Sequence, residues 1–529
     1  MKVIMNLAIG SAASLVALGG AQAADLPMKA KAVEYVKICS LYGAGFWYIP
    51  GTDTCLKLGG YLRADVLANT NTDNVGNVSG QGGAKNRFTN AYTWRSREDL
   101  SIDTRTATEY GVVRTYADVV FTWTTDSYGN NLAVPGSTVY SPIGGSALVS
   151  PAQAPNNANA GAVAYGTLGV YAAFLQFAGF TIGKATSQFS APWANYPGNN
   201  FDGLVGGGGA VTGVNQFSYT WDFGTGTSVT VSAQDQAPYY QAGVQNLSAG
   251  GAFGASDYAG TAAPDLVAMV RVDQAWGVFQ ASVAAHDNHA AYYSCSAGGG
   301  TEPCGHPNDV WGYAGQLALS IKNIPTGAGD SINIQGVYTD GATRYNIQDL
   351  ALAYGAATLF GGTNNPFAYQ SVALNAAPDT VFVTGGSQHT IKTFGMNGAF
   401  NHNWDPYWSS SLYGAYAAVR YDNFSKLAIC GAGGNGVLSG GTFPTVSAGG
   451  VAGAGACNPD YNIAQLGFIT RWTPIKNLTF SGDFTWSHID QKNSGYITTA
   501  SASVGKPAAT YELKDQSNVL LMLRAQRNW

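Results

Sequence analysis

Apolar and polar positions alternate along short stretches of this chain, and the stretches are joined by connections that are short and long in turn. The run from Leu56 to Val66 shows the pattern. Leu56, Leu58, Leu62, Ala64 and Val66 fall on one face of a period-two strand, and Lys57, Tyr61, Arg63 and Asp65 on the other. About sixteen such strands are predicted, near 56–66, 88–105, 109–124, 165–178, 180–189, 215–223, 227–235, 266–273, 276–286, 310–323, 330–339, 391–403, 407–421, 461–474, 477–488 and 516–529. The short joints include Ala178-Gly179, Gly224-Thr225-Gly226, Asp405-Pro406 and Pro474 to Asn477, built from residues that make tight turns. Between them lie eight long connections, the longest at 125–164, 340–390 and 422–460.

Short turns on one side and long loops on the other is the asymmetry of an antiparallel sheet closed across a membrane. The fold class predicted is therefore all-β: a transmembrane barrel with short periplasmic turns and long extracellular loops. In such a barrel the apolar face of each strand meets lipid and the polar face lines water. The size suits an open pore. The last strand places Val519, Leu521, Leu523, Ala525 and Trp529 on one face, and ends the chain where a first strand can pair with it. Trp529 is the expected assembly signal, read by barrel-assembly machinery.

Residues 1–23 read as a signal peptide, with Lys2, an apolar run from Leu7 to Leu18, and Ala21-Gln22-Ala23 as the cleavage site. Residues 24–55 then form an N-terminal periplasmic-side segment, and 56–529 the barrel. Charged residues make up 11% of the chain, against roughly 25% in soluble domains. Gly numbers 69, Tyr 30 and Trp 12, which suits an apolar outer band with aromatic girdles. A formal charge of −5 argues against nucleic acid as a partner. Outer-membrane lipid is the expected surrounding.

Six cysteines behind an export signal suggest disulfides, and proximity favours Cys39–Cys55, Cys295–Cys304 and Cys430–Cys457 among the 15 possible pairings. His286, His289 and His306 lie near Cys295 and Cys304, but the cysteine spacing is unlike that of common zinc sites, and a loop disulfide is preferred to a metal. Neither a metal nor a cofactor is expected. The Gly-x-Ser-x-Gly, His-Glu-x-x-His and P-loop motifs are missing, and an enzyme is not expected.

The run Ile38 to Tyr61, with Cys39, Phe46-Trp47-Tyr48 and Cys55, resembles the second general porin family of alphaproteobacteria, of the rhizobial and brucella type. So do Thr104 to Gly111, Gln176 to Ser187 and the ending Gln526-Arg527-Asn528, although Trp529 stands where Phe is commoner. The resemblance spans the mature chain, dense at both ends and thin in the middle loops. It implies a sixteen-stranded, homotrimeric porin for passive diffusion of small hydrophilic solutes and ions, with its third long loop folded into the lumen. That loop is 190–214, and Asp202 is its only acid. Arg63, Arg95, Arg97, Arg114 and Lys184, read as polar-face residues, would face Asp202 across a constriction and set a transverse field. Asp65, Asp99, Asp103 and Asp118 share those faces, so an ion-paired wall is the competing reading. Two other functions stay open. A substrate-selective channel would use aromatics such as Tyr407, Trp408, Tyr413 and Tyr416, which otherwise belong to the interface girdle. An adhesin or receptor would work through the long loops.

Overall fold

Sixteen strands pair antiparallel in chain order in a computed structural model, which describes residues 37–70, 92–124, 162–163, 166–193, 198–200, 204–207, 213–235, 241–248, 258–293, 295, 300–347, 359–430, 456–498 and 506–529. The signal-peptide residues 1–23 lie outside this set. The barrel strands are β1 Thr54–Asn69, β2 Tyr92–Thr108, β3 Gly111–Thr124, β4 Gly166–Phe177, β5 Phe180–Ala185, β6 Val214–Asp222, β7 Thr227–Gln234 and β8 Asp265–Gln274. They continue as β9 Gly277–Asn288, β10 Val310–Lys322, β11 Ser331–Asp340, β12 Lys392–Asn403, β13 Trp408–Arg420, β14 Tyr461–Ile475, β15 Leu478–Gln491 and β16 Gln516–Asn528. The circle closes where β1 pairs with β16, Tyr61 opposite Asn528 and Asp65 opposite Arg524. Closure leaves no edge in the ring, as a sheet in lipid requires.

Alternation produces this shape directly. Leu62, Trp94, Phe121, Leu317, Leu412, Leu466 and Leu523 are exposed on the outside, while Asp65, Arg95, Gln316 and Gln465 are buried inside. Asn323 and Asn477 adopt positive φ in their short turns, a conformation that Asn tolerates better than most residues. Trp529 donates its backbone N–H to Gly60, tying the chain end to β1.

Cysteine pairs Cys39–Cys55, Cys295–Cys304 and Cys430–Cys457 are bonded. The first fastens the segment before β1. There Trp47 and Tyr48 pair with Leu56 and Cys55, and Phe46 is buried with both cysteines.

The inner face is less uniformly polar than alternation suggests. On β13 and β14 the inward positions include Tyr413, Ala415, Ala417, Val419, Tyr461, Ile463 and Ile469, all buried. They form a core inside the barrel with Leu204 and Val205 of the third loop, Ala242 and Leu247 of the fourth, and Ile347, Ala377, Val381 and Ile391 of the sixth. These loops carry structure of their own. Val244–Asn246 pairs in parallel with Thr380–Phe382, joining the fourth and sixth loops. Leu359–Gly361, Gln370–Ala373, Gly495–Thr498 and Thr510–Leu513 make a second small sheet from the sixth and eighth. A helix, α1 (Asn423–Cys430), opens the seventh loop, with the Asp422 carboxylate accepting the Ser425 N–H.

Candidate functional site

The third loop leaves β5 and runs along the inside of the barrel. A belt of amide side chains holds it there. Gln280 on β9 and Gln316 on β10 donate to the Phe189 carbonyl at 3.2 and 2.9 Å. Gln335 on β11 donates to Gly206 at 3.0 Å, and Asn397 on β12 to Val205 at 3.1 Å. Gln465 on β14 accepts the Val205 N–H at 2.9 Å. An amide offers both a donor and an acceptor, so it can replace the partners that an irregular backbone lacks. Gly206 is pressed so close to β12 that a side-chain carbon there would lie 2.3 Å from the Met396 carbonyl carbon.

Charged groups hold the middle of the loop. Arg471 on β14 donates to the Gly198 carbonyl at 2.5 Å, and Arg524 on β16 to the Asn200 carbonyl at 3.3 Å. Asp483 on β15 accepts the Asn200 N–H at 2.6 Å and the Tyr413 hydroxyl, also at 2.6 Å. Tyr413 thus lies inside, under the loop, while the adjacent even-numbered positions Leu412 and Tyr416 face out. The girdle reading assumed the outward face for Tyr413, whereas it faces inward and is covered. Tyr407 and Trp408 are exposed at the short-turn end, and Trp408 stacks with Trp472.

Most of the loop's anchors lie on β9 to β16, and the wall of β1 to β4 continues the ring beyond them. That wall carries the predicted arginines. Arg95 pairs with Asp65 at 2.5 Å, and Arg524 joins the same carboxylate at 2.7 Å. Arg114 and Arg105 both reach Asp103 at 3.0 Å. Arg63 donates to Gln526 at 2.8 Å and lies over the Tyr61 ring, and Arg97 donates to Thr122 at 3.1 Å. Asp99 and Asp118 lie against each other on the neighbouring rows. Arg95 and Arg114 each touch a carboxylate.

Two predicted members stand apart. Asp202 lies outside the described residues. Lys184 is misplaced by the lumen reading: it shares a face with exposed Ile182, and pairs with Ala173 and Asn215, while Thr181 and Ala185 on the other parity are buried inside. The polar-face assignment failed there because β5 is only six residues long and Gly183 interrupts its alternation. Arg471, Asp483, Arg524 and the amide belt were not singled out from sequence. The available signal was parity: each is a polar residue on the inward face of a strand whose outward face is apolar.

At the outer mouth Asp379 ties three elements together. It accepts the Ala242 N–H at 2.7 Å and the Thr343 N–H at 2.5 Å, and lies 3.3 Å from His286 Nε2 on β9. His286 Nδ1 meets Asp265 at 2.8 Å. His289 pairs instead with Asp309, and no cluster able to hold a metal occurs among the described residues.

A profile described as a porin subfamily matches residues 25–522. Porin Omp2b of Brucella suis is 31% identical over 289 residues, which is 54% of this chain and 66% of that protein. Porin Omp2a of Brucella ovis is 33% identical over 234 residues, 44% of this chain and 59% of that protein. The matched regions thus span less than two thirds of each of these relatives. The outer membrane channel DcaP of Acinetobacter baumannii has the same fold, with a TM-score of 0.50 at 14% identity, covering 91% of this chain and 99% of that one.

Proposed function

The chain belongs to the porin subfamily, and we propose that it forms a water-filled channel through the bacterial outer membrane for passive diffusion of small hydrophilic solutes and ions. The observation that carries this reading is the third loop, fixed inside the barrel along β9 to β16 by side chains that the wall supplies for it, with a charged wall on β1 to β4 completing the ring. A solute passing between them meets fixed charges at close range and undergoes no covalent change. Arg63, Arg95, Arg97 and Arg114, with Asp202 on the loop, are the constriction residues. Asp65 and Asp103 weaken the field of Arg95 and Arg114, and all four arginines contribute to ion preference. The channel assembles as a homotrimer, a closed ring that cyclic symmetry permits. Trp529 serves barrel assembly, and lipid covers the outward apolar band.

Planar-bilayer recording of the refolded protein under a salt gradient tests the reading. Stepwise openings, grouped in threes, are expected, with a reversal potential that moves toward cation preference in Arg63→Gln and Arg97→Gln. Folded, inserted protein without conductance would sink it and turn attention to the outer loops.

A further inference from the structure

Two charges on the outward surface of β2 to β5 lack a partner among the described residues of the chain. Most outward positions are apolar, yet Glu98 on β2 and Lys184 on β5 point away from the lumen. Glu98 lies between the inward residues Arg97 and Asp99, beside exposed Leu62 and Phe121 on neighbouring strands. Among the described residues neither charge has a hydrogen bond or ion pair. A charge facing lipid near mid-height is strongly disfavoured.

The wall is also low from β5 onward, at one edge of this surface. β5, β6 and β7 have six, nine and eight residues, against sixteen and seventeen in β1 and β2. At about 3.3 Å per residue and a tilt of about 40°, β5 rises about 15 Å, well short of an apolar band of about 25 Å.

The two charges stand at one height. The pairing row through Lys184 runs to Ala173, Ala117 and Ile102, four residues short of Glu98 on the short-turn side. Rows climb toward the outer side in chain order. The row that leaves Arg114, near the short turn of β3, passes Gln176, Thr181, Ser218, Ser232, Val267, Ala284, Ala314, Thr339, Thr393, Val419 and Tyr461 and ends at Gln491, the outer end of β15. With strands about 4.8 Å apart, a level line falls back by about 1.2 residues per strand, or about four over the three strands from β2 to β5. That drift brings Glu98 level with Lys184. Between them Ala117 and Ala173 keep the surface flat.

We propose that this surface is the contact between copies of the chain, and that Glu98 of one copy pairs with Lys184 of the next. The proposal rests on the trimeric reading above. Rotation about an axis along the membrane normal preserves height, so only level groups can meet. A head-to-tail contact joins two different flanks of one patch, and here the flanks carry opposite charge. Each copy then buries both of its lipid-facing charges, and its low wall is covered by protein.

Charge reversal tests this in the full-length protein, folded in mild detergent and weighed by native mass spectrometry through a temperature series. Glu98→Lys and Lys184→Glu are each expected to lose the trimer at a lower temperature than wild type, and the double reversal to recover it. The neutral variants Glu98→Gln and Lys184→Gln give the same ranking should a reversal fail to fold. With cysteine at both positions, oxidation is expected to give a covalent trimer on non-reducing gels, and with either cysteine alone it is not. A wild-type trimer whose stability no variant changes, with no crosslink in the double-cysteine protein, overturns the contact and leaves the trimer standing. A folded, conducting wild-type monomer overturns both.

Discussion

A methyl group at Gly206 would strike the β12 backbone, where φ is +91° and the Met396 carbonyl oxygen lies 2.5 Å from the position of the added carbon. Gly206→Ala is therefore expected to lift this part of the third loop from the wall, breaking its bonds to Asn346 and Gln335. A destabilisation of more than about 1 kcal/mol should follow, read from the denaturant midpoint, with an altered single-channel conductance. A second residue acts at the periplasmic end. Asp330 precedes β11 and accepts from the Asn403 N–H at 2.9 Å, Thr326 at 2.7 Å and His402 at 2.7 Å. Loss of solvent alone would raise its pKa, but these bonds outweigh that and hold it down at about 2. Because the folded value lies below the ordinary 3.8, the stabilisation is complete above 3.8 and disappears as pH falls toward 2. Wild type should exceed Asp330→Asn in unfolding midpoint at pH 5 to 7, and the gap should close between pH 4 and 2. An unchanged gap at pH 2 would show that the carboxylate's charge is not what matters. Neither residue announces itself in sequence, because a loop glycine and a turn aspartate are common, and only the partner brought from a distant strand gives each its role.

Strands were the legible elements. Each is a period-two pattern that lipid and water read locally, so Leu56 to Val66 or Val519 to Ala525 can be placed without knowing the rest of the chain. The long loops were not legible, because what they bury lies on other elements. Ala415, Ala417 and Val419 on β13 look like surplus apolar residues until Leu204, Leu247 and Ile391 are set against them inside the barrel. Gln280, Gln316 and Gln335 read as wetted lumen amides, and nothing in their own strands shows that they hold a backbone 91 to 129 residues away. Asp379 is the residue on which the outer loops depend most. It receives N–H groups from the fourth and sixth loops and meets His286 on the wall, all fully buried. Asp379→Ala would leave several of these polar groups unpaired, at about 1–3 kcal/mol each. The expected result is a loosening of the outer mouth with the barrel intact: hydrogen exchange across residues 242–247 and 379–391 should rise by at least about tenfold, while β13 and β14 keep their protection. Equal protection in both proteins would mean that the apolar core alone holds the loops.

At the scale of the whole molecule, chain closure and loop position meet at one carboxylate. Asp65 on β1 is fully buried and binds Arg95 on β2 and Arg524 on β16, so it spans the seam where the last strand joins the first. Arg524 in turn reaches the Asn200 carbonyl of the third loop. Asp65 was read as a possible neutraliser of the arginine row, and it does pair with Arg95. Its place at the seam follows only from closure, which brings together residues 459 apart in sequence. The seam joins the first strand to the last, whereas every other pair is consecutive in the chain, and it lacks a covalent turn to hold its register. An ion pair across it specifies that register, because a slip of one residue would turn Asp65 outward and leave two arginines unpaired inside. Asp65→Asn keeps the volume and removes the charge, stranding Arg95 and Arg524. The expected cost is about 3–5 kcal/mol, seen as a lower temperature for conversion of the compact to the unfolded band on gels. Freed from Asp65, Arg524 should also hold Asn200 less firmly, so channels that do fold should show a noisier open state. Asp103→Asn is the informative comparison, since it strands Arg105 and Arg114 on the same wall but away from the seam and the loop. If both variants lose similar stability and conduct alike, the seam has no special role; if only Asp65→Asn disturbs the open state, closure and constriction share that one residue.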